Sequence, residues 1–267
     1  MAGDSRALVV GVSGCSSSGK TTLARLLRDV FPNTFILHED DFYKAETELP
    51  YKNGLLDWDC AEAIDLPAMV DALSYIRQHA AFPASPCDAH LTICIRHPTL
   101  DSKEDQNPVG QCPVPAATTA ALRSRVAAAL PPSHPLRSGS GLRLCLLDGF
   151  LLYAPSVAAV LPSLDVKLFL RGSYAKAKAR REARNGYVTL EGFWTDPPGY
   201  VDKVVWPNYV DEHAWMFEGG DVEGDFRKDV LQREGIKVLE GASVDADMEE
   251  TLAWMVDAIL EELHKHV

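Results

Sequence analysis

The most restrictive stretch of the chain is Gly14 to Thr22, which reads GCSSSGKTT. It follows an apolar, β-branched run, Ala7 to Val12, and opens a run of helical spacing from Thr21 to Val30. This is the phosphate-loop pattern G-x-x-x-x-G-K-[ST] set between a strand and a helix, the context that gives it physical meaning. The glycines let successive backbone N–H groups converge on a phosphate, and the helix N-terminus adds its dipole. Gly14, Cys15, Ser16, Ser17, Ser18, Gly19, Lys20, Thr21 and Thr22 are therefore the expected nucleotide-binding residues. Lys20 is placed to reach the outer phosphates. The Thr21 hydroxyl suits Mg²⁺, a hard cation that prefers oxygen ligands.

The surrounding pattern alternates short apolar runs with amphipathic ones, as in a doubly wound α/β fold. Ala7–Val12, Thr34–Leu37, Leu142–Leu147, Asp165–Leu170 and Lys237–Leu239 read as strands of a parallel sheet, apolar because both faces are covered. Leu23, Leu26, Leu27 and Val30, then Leu66 to Ile76, and finally Met248 to Leu263 recur at helical spacing. Glu46 to Asp59 has no period and reads as a loop, and so does the aromatic, proline-rich stretch through Trp194, Pro197–Tyr200 and Trp206–Pro207. Residues 81 to 141 are punctuated by nine prolines and read as a partly disordered insertion hanging from one domain. Within it, Leu91–Ile95 suggests a strand and Thr118–Leu130 a helix, while His90, His97 and His134 lack metal-ligand spacing.

Three features say what the phosphate loop serves. The strand ending at Leu37 runs into His38-Glu-Asp-Asp, and ligands in open α/β sheets bind beyond the carboxyl ends of strands. Asp40 is thus a candidate base, although carboxylates at a strand exit also cap helices. Asp148 follows the strand Leu142–Leu147 and fits a Walker B carboxylate that holds Mg²⁺ with Thr21. The formal charge is −12, which argues against general nucleic-acid binding and makes a local basic cluster informative. Lys176, Lys178, Arg180, Arg181 and Arg184 form such a cluster, suited to a lid over a transferring phosphoryl group. Together these indicate phosphoryl transfer to a small hydroxyl acceptor, with Lys20 on the donor phosphates, Asp40 as base and arginines of the cluster over the transferring charge. A guanine-nucleotide switch would need an NKxD or TKxD motif, and neither follows the loop. A P-loop binding protein without transfer activity remains the alternative of another class.

The six cysteines form no CxxC pair and fit free thiols in a reducing compartment. With no secretory signal and no run of roughly 18 apolar residues, the expected location is the cytoplasm, with the nucleus as an alternative.

GCSSSGKTT, HEDDFYK, the Trp-Asp at 58–59, LLDGF, RREARNGY and FWTDPPGY together resemble the nicotinamide riboside kinases, most closely the fungal branch. These are relatives of uridine kinase among P-loop small-molecule kinases. The resemblance spans roughly Arg6 to Gln78 and Leu142 to Gly224. It implies a three-layer α/β P-loop kinase with an arginine-rich lid helix. The donor is ATP, with GTP open, and the ion is Mg²⁺. The acceptor is a small nucleoside, phosphorylated on its 5′-hydroxyl, with nicotinic acid riboside a second acceptor and uridine or cytidine the competing reading. By position, the resemblance implies Asp40 as the base, Lys20, Arg180 and Arg184 as its catalytic partners with the two arginines on the lid near the phosphates, and Asp59 and Arg181 as the grip on the ribose hydroxyls. Tyr43, Trp58 and Tyr187 hold the pyridine ring, and Lys44 closes the same acceptor-side motif. Neither a nucleic-acid nor a membrane partner is expected.

Overall fold

The computed structural model describes residues 6–83, 112–139, 141–184, 186–188 and 193–266. The suggested strand at Leu91–Ile95, with His90 and His97, lies outside these residues. In chain order the structure runs β1 (Arg6–Gly14), α1 (Lys20–Val30), β2 (Thr34–His38), and a small hairpin β3 (Tyr51–Lys52) and β4 (Leu55–Leu56). Next come α2 (Leu66–His79), α3 (Ala116–Ala129), α4 (Pro135–Ser138), β5 (Leu142–Asp148), β6 (Val166–Leu170) and α5 (Tyr174–Glu182). A second hairpin, β7 (Tyr187–Val188) and β8 (Phe193–Trp194), precedes α6 (Trp206–His213), α7 (Lys228–Glu234), β9 (Ile236–Lys237) and α8 (Met248–Leu263).

Five strands form one parallel sheet in the order β2-β5-β1-β6-β9. Side chains alternate across each strand, so the sheet feeds two cores. Val9, Phe35, Leu37, Cys145, Leu147 and Phe169 face one layer, with Met69, Leu73 and Ile76 of α2 and Tyr209 of α6. Leu8, Val10, Val12, Leu144, Leu146 and Leu168 face the other, with α1 and α8. This is the expected three-layer α/β arrangement. Register sets the functional end: Val12 and His38 both pair with Asp148, and Gly14 pairs with Leu170. The carboxyl ends of β1, β2 and β5 therefore converge.

Two expectations are corrected. The segment 112–139 does not hang from the fold: Val114, Leu122, Val126, Leu130 and Leu136 are buried in the α1–α8 core. Arg123 Nε donates to Asp29 O at 2.8 Å, and Thr118 Oγ1 to Glu249 at 2.7 Å. His134 is a structural cap, accepting from Leu136 N at 3.2 Å. The second correction is the proline-rich stretch after Tyr200, which is helical. Val201–Val205 forms a π-turn that leads directly into α6. Pro207 has no N–H to donate within this continuous helix, and the Lys203 carbonyl four residues back accepts from Asn53 Nδ2 at 2.8 Å instead. Among the described residues, no helix is long and apolar enough to cross a membrane.

Candidate active site

The phosphate loop follows from β1. Gly14 has φ +148°, and a Cβ there would lie 2.2 Å from Leu170 O, so the close approach of β6 requires glycine. Lys20, buried at the start of α1, crosses the loop and donates from Nζ to Cys15 O at 2.9 Å. The hydroxyls of Ser17 and Ser18 are buried without a hydrogen-bond partner among the described residues. Buried polar atoms are normally satisfied, so these orphaned donors suit a phosphate. Thr22 lies in the first turn of α1.

Around the converging strand ends, Thr21 Oγ1 donates to Asp148 Oδ2 at 2.6 Å, and His38 Nδ1 lies 3.2 Å from the same oxygen. Burial disfavours charge on Asp148. The bond to His38 and its charge, then Lys20 and Thr21, outweigh burial and hold the carboxyl below its ordinary range. A hydroxyl and an ionised carboxylate are hard oxygen donors, which fits Mg²⁺. No cluster of three metal-ligating side chains exists among the described residues. The ion would therefore draw its remaining ligands from phosphate oxygens and water, the usual habit of Mg²⁺.

Asp40 lies on the 3₁₀ turn Glu39–Phe42 and is exposed to solvent. The crowding protein still desolvates its carboxyl. With repulsion from Asp148 and Asp41, this pushes the pKa up to about 6, against the pull of His38 and Lys20. The neighbouring carboxylate of Asp41 serves the backbone instead. Its Oδ2 accepts the His38 backbone N–H at 3.3 Å and caps the turn.

Glu39 carries no signal of its own in the sequence, yet it is fully buried and joins the two carboxylate-bearing strand ends. Its Oε2 accepts from Phe150 N at 2.6 Å and Leu151 N at 3.1 Å. A Cβ at Gly149 would sit 2.6 Å from that oxygen, so glycine after Asp148 makes the clasp possible. Burial pushes the Glu39 carboxyl up to about 8, despite the two backbone N–H groups. The folded chain thus keeps a proton that the unfolded chain releases near the ordinary value of 4.5. Stability from this group is fully present below that value and is lost as pH rises towards about 8. Glu39→Gln keeps an acceptor oxygen and removes the titration. The variant's Tm relative to the parent should therefore rise steadily between about pH 5 and pH 8. A pH-independent difference in thermal melts would contradict the assignment.

On the acceptor side, Arg181 of α5 is buried and makes five hydrogen bonds. NH1 and NH2 fork onto Asp59 at 2.7 and 2.9 Å. Nε and NH2 reach Asp196 at 2.6 and 3.3 Å, and NH1 also reaches Ser16 Oγ at 2.8 Å. Asp59 and Arg181 are thus brought together as expected, but they bind each other. Asp196, held also by Trp194 Nε1 at 2.9 Å, is a site residue that the sequence does not announce. The motif FWTDPPGY contains it, but no spacing marks it as an arginine partner. The Tyr43 and Trp58 rings meet edge to face at 5.3 Å, and Trp58 also contacts Trp194. Tyr187 lies beneath the guanidinium groups of Arg181 and Arg184, at 5.1 and 5.3 Å. Arg180 NH1 donates to the carbonyls of Ser17 and Ser18 at 3.3 and 3.2 Å, so α5 is docked on the phosphate loop. Lys44 is turned elsewhere: its Nζ donates to Glu62 O at 2.8 Å.

Beside the loop lies a cavity of about 320 Å³ whose lining includes Ser18, Arg171, Lys176, Arg180 and Asp245. It adjoins the phosphate loop on the side of α8 and is large enough for a nucleotide base.

No family model matches the chain. Curated proteins do. The chain is 34% identical over 258 residues to the nicotinamide riboside kinase of Schizosaccharomyces pombe, covering 97% of this chain and 98% of that one. It is 31% identical to the Saccharomyces cerevisiae nicotinamide riboside kinase, covering 96% and 97% of the two chains. It is 28% identical to human nicotinamide riboside kinase 2, covering 87% and 80%. With these identities spanning nearly the whole chain, on a fold that gathers the phosphate loop, Asp40, Asp148 and Arg181 at one sheet end, the chain belongs to the nicotinamide riboside kinase family.

Proposed function

We propose that this protein transfers the γ-phosphoryl group of ATP to the 5′-hydroxyl of nicotinamide riboside, giving nicotinamide mononucleotide for NAD salvage. The observation that carries this reading is the acceptor cluster, where two carboxylates clamp Arg181 among Tyr43, Trp58, Tyr187 and Trp194. Aromatic faces and nearby carboxylates suit a cationic pyridinium ring, with cation–π contributions of about 0.5–2 kcal/mol.

The phosphate loop and Lys20 hold the triphosphate, and the cavity beside the loop receives the donor base. Thr21 and Asp148 would hold Mg²⁺, whose charge would offset that of the phosphate oxygens. Asp40 accepts the proton of the 5′-hydroxyl as it attacks, and its raised pKa brings it close to the range useful for a general base. Arg180 and Arg184 face the transferring group from the lid. Asp59 and Arg181 exchange part of their mutual bonding for the ribose hydroxyls. The ring packs against the aromatics, which also excludes water from the reacting oxygen. Nicotinic acid riboside, which shares the ribose contacts, is the second acceptor.

Incubating the purified protein with ATP and Mg²⁺ against each riboside in turn tests this. Phosphorus NMR and mass spectrometry should show a 5′-monophosphate of nicotinamide riboside. ATP binding with no phosphorylated nucleoside from any acceptor would contradict transfer activity.

A further inference from the structure

The loop that presents Trp58 and Asp59 is held from outside by α6, an element with no part in the chemistry above. Asp57 is buried at 4% exposure, and both its carboxylate oxygens accept from Asn208 Nδ2 at 2.9 Å. Asp57 Oδ1 also accepts the backbone N–H of Asp59 at 2.9 Å. Asn208 is itself buried, and its Oδ1 accepts from Lys52 Nζ at 2.5 Å, while Lys52 also reaches Asp211 at 3.1 Å. Ahead of α6 in the chain, Tyr200 Oη accepts from Trp58 N and donates to Leu56 O, both at 3.0 Å. A continuous chain of bonds therefore runs from Lys52 through Asn208 and Asp57 to the backbone of Asp59, whose carboxylate meets Arg181.

The geometry points to Asn208 as a positioning residue that, through Asp57, sets the orientation of Asp59 in the acceptor site. This rests on the acceptor-site reading above, but not on which nucleoside fills it. Asp57 offers only acceptors, and the Asn208 amide donor spans both of its oxygens. Without that donor a buried carboxylate loses part of its solvation, and it keeps the Asp59 N–H as the bond that orients it. Asp57 then swings, and the backbone of Asp59 follows. The hydrogen bonds of Asn208 run to Asp57 and Lys52, away from the phosphate loop and Asp40, so its loss should act on the acceptor alone.

The test uses whichever of nicotinamide riboside, uridine or cytidine the parent protein turns over best, so a wrong choice of base does not confuse the result. Asn208→Ala should raise the acceptor KM about tenfold or more, the size expected for a lost hydrogen bond to a charged group. Turnover and the ATP KM should stay within about twofold of the parent, the pattern of lost ground-state binding. Asp57→Asn alone should behave similarly, since its amide nitrogen then faces the Asn208 Nδ2 donor where Oδ2 had accepted from it. The reciprocal variant Asp57→Asn/Asn208→Asp restores a donor–acceptor pair with reversed polarity and gives Lys52 a carboxylate partner. It should recover most of the acceptor affinity, a coupling that independent sites would not show. Lys52→Met, a half-exposed and milder change, should raise the acceptor KM less than Asn208→Ala and covers the case in which that variant folds poorly. Any of three results overturns the assignment. These are an unchanged acceptor KM in Asn208→Ala and Lys52→Met, a parallel loss of turnover and ATP affinity, or a reciprocal variant no better than the single ones.

Discussion

Replacing Asp40 with asparagine should lower turnover by about 10²–10⁴-fold, the contribution expected of a positioned general base, while ATP still binds. The amide keeps the shape of the turn Glu39–Phe42 but cannot take the hydroxyl proton. Asp41→Asn is the matched control, because its carboxylate caps the turn instead of facing the acceptor. That control keeps an acceptor oxygen for the His38 N–H, and asparagine caps about as well as aspartate, so it should keep its stability and most of its turnover. The pH profile gives a second readout. The base must be ionised to act, and its pKa lies near 6 because of the crowded cleft and the Asp148 charge. In the parent protein kcat/KM should therefore fall as pH drops through about 6. That acid limb should vanish in Asp40→Asn. A variant with near-normal turnover and an unchanged profile would remove Asp40 from this role.

The second large effect concerns Arg181. Burial, with repulsion from Asp196 and Asp57, pushes the Asp59 carboxyl above its ordinary range, and Arg181 opposes it. Arg181→Met strands Asp59 and Asp196 without their shared cation and releases Ser16 of the phosphate loop. Breaking one side of a buried ion pair costs about 3–5 kcal/mol. At roughly 2–4 °C per kcal/mol for a chain of this size, Tm should fall by about 6–20 °C. Acceptor binding should weaken in parallel. Arg181→Lys restores the charge but not the fork that satisfies two carboxylates at once, so it should recover only part of either loss. Thermal melts and acceptor KM values check both statements. An Arg181→Met variant with parental Tm would show that the cluster is not a buried ion network.

The parts of this protein that are legible in its sequence are those whose signal is local. The phosphate loop is a fixed spacing of glycines, Lys20 and Thr21, and its flanking strand and helix carry their own periods. The strand ends at His38 and Asp148 are readable for the same reason, as charges at the exit of apolar runs. What escapes is information held between distant segments. Glu39 sits one residue from Asp40, yet its clasp on Phe150 and Leu151 depends on the register in which β2 and β5 pair. Asp196 gains its meaning from α5 folding back onto the second hairpin. The helix at 201–213 is hidden by aromatic residues and prolines that look irregular in line, and Pro207 is accommodated because Asn53 takes the Lys203 carbonyl that its missing N–H leaves over. In α3, only Leu122 and Val126 are buried on an alanine-rich background. The helix itself is readable at Thr118–Leu130, but that its thin apolar face is core depends on α1 and α8 lying against it.

The acceptor end distinguishes this protein from other P-loop kinases, since the donor end is built from parts that many share. Specificity constants measured side by side for nicotinamide riboside and uridine, with ATP and Mg²⁺, test it most directly. The carboxylate-and-aromatic pocket around Arg181 predicts a clear preference for the cationic nicotinamide riboside. An equal or greater specificity constant for uridine would contradict it.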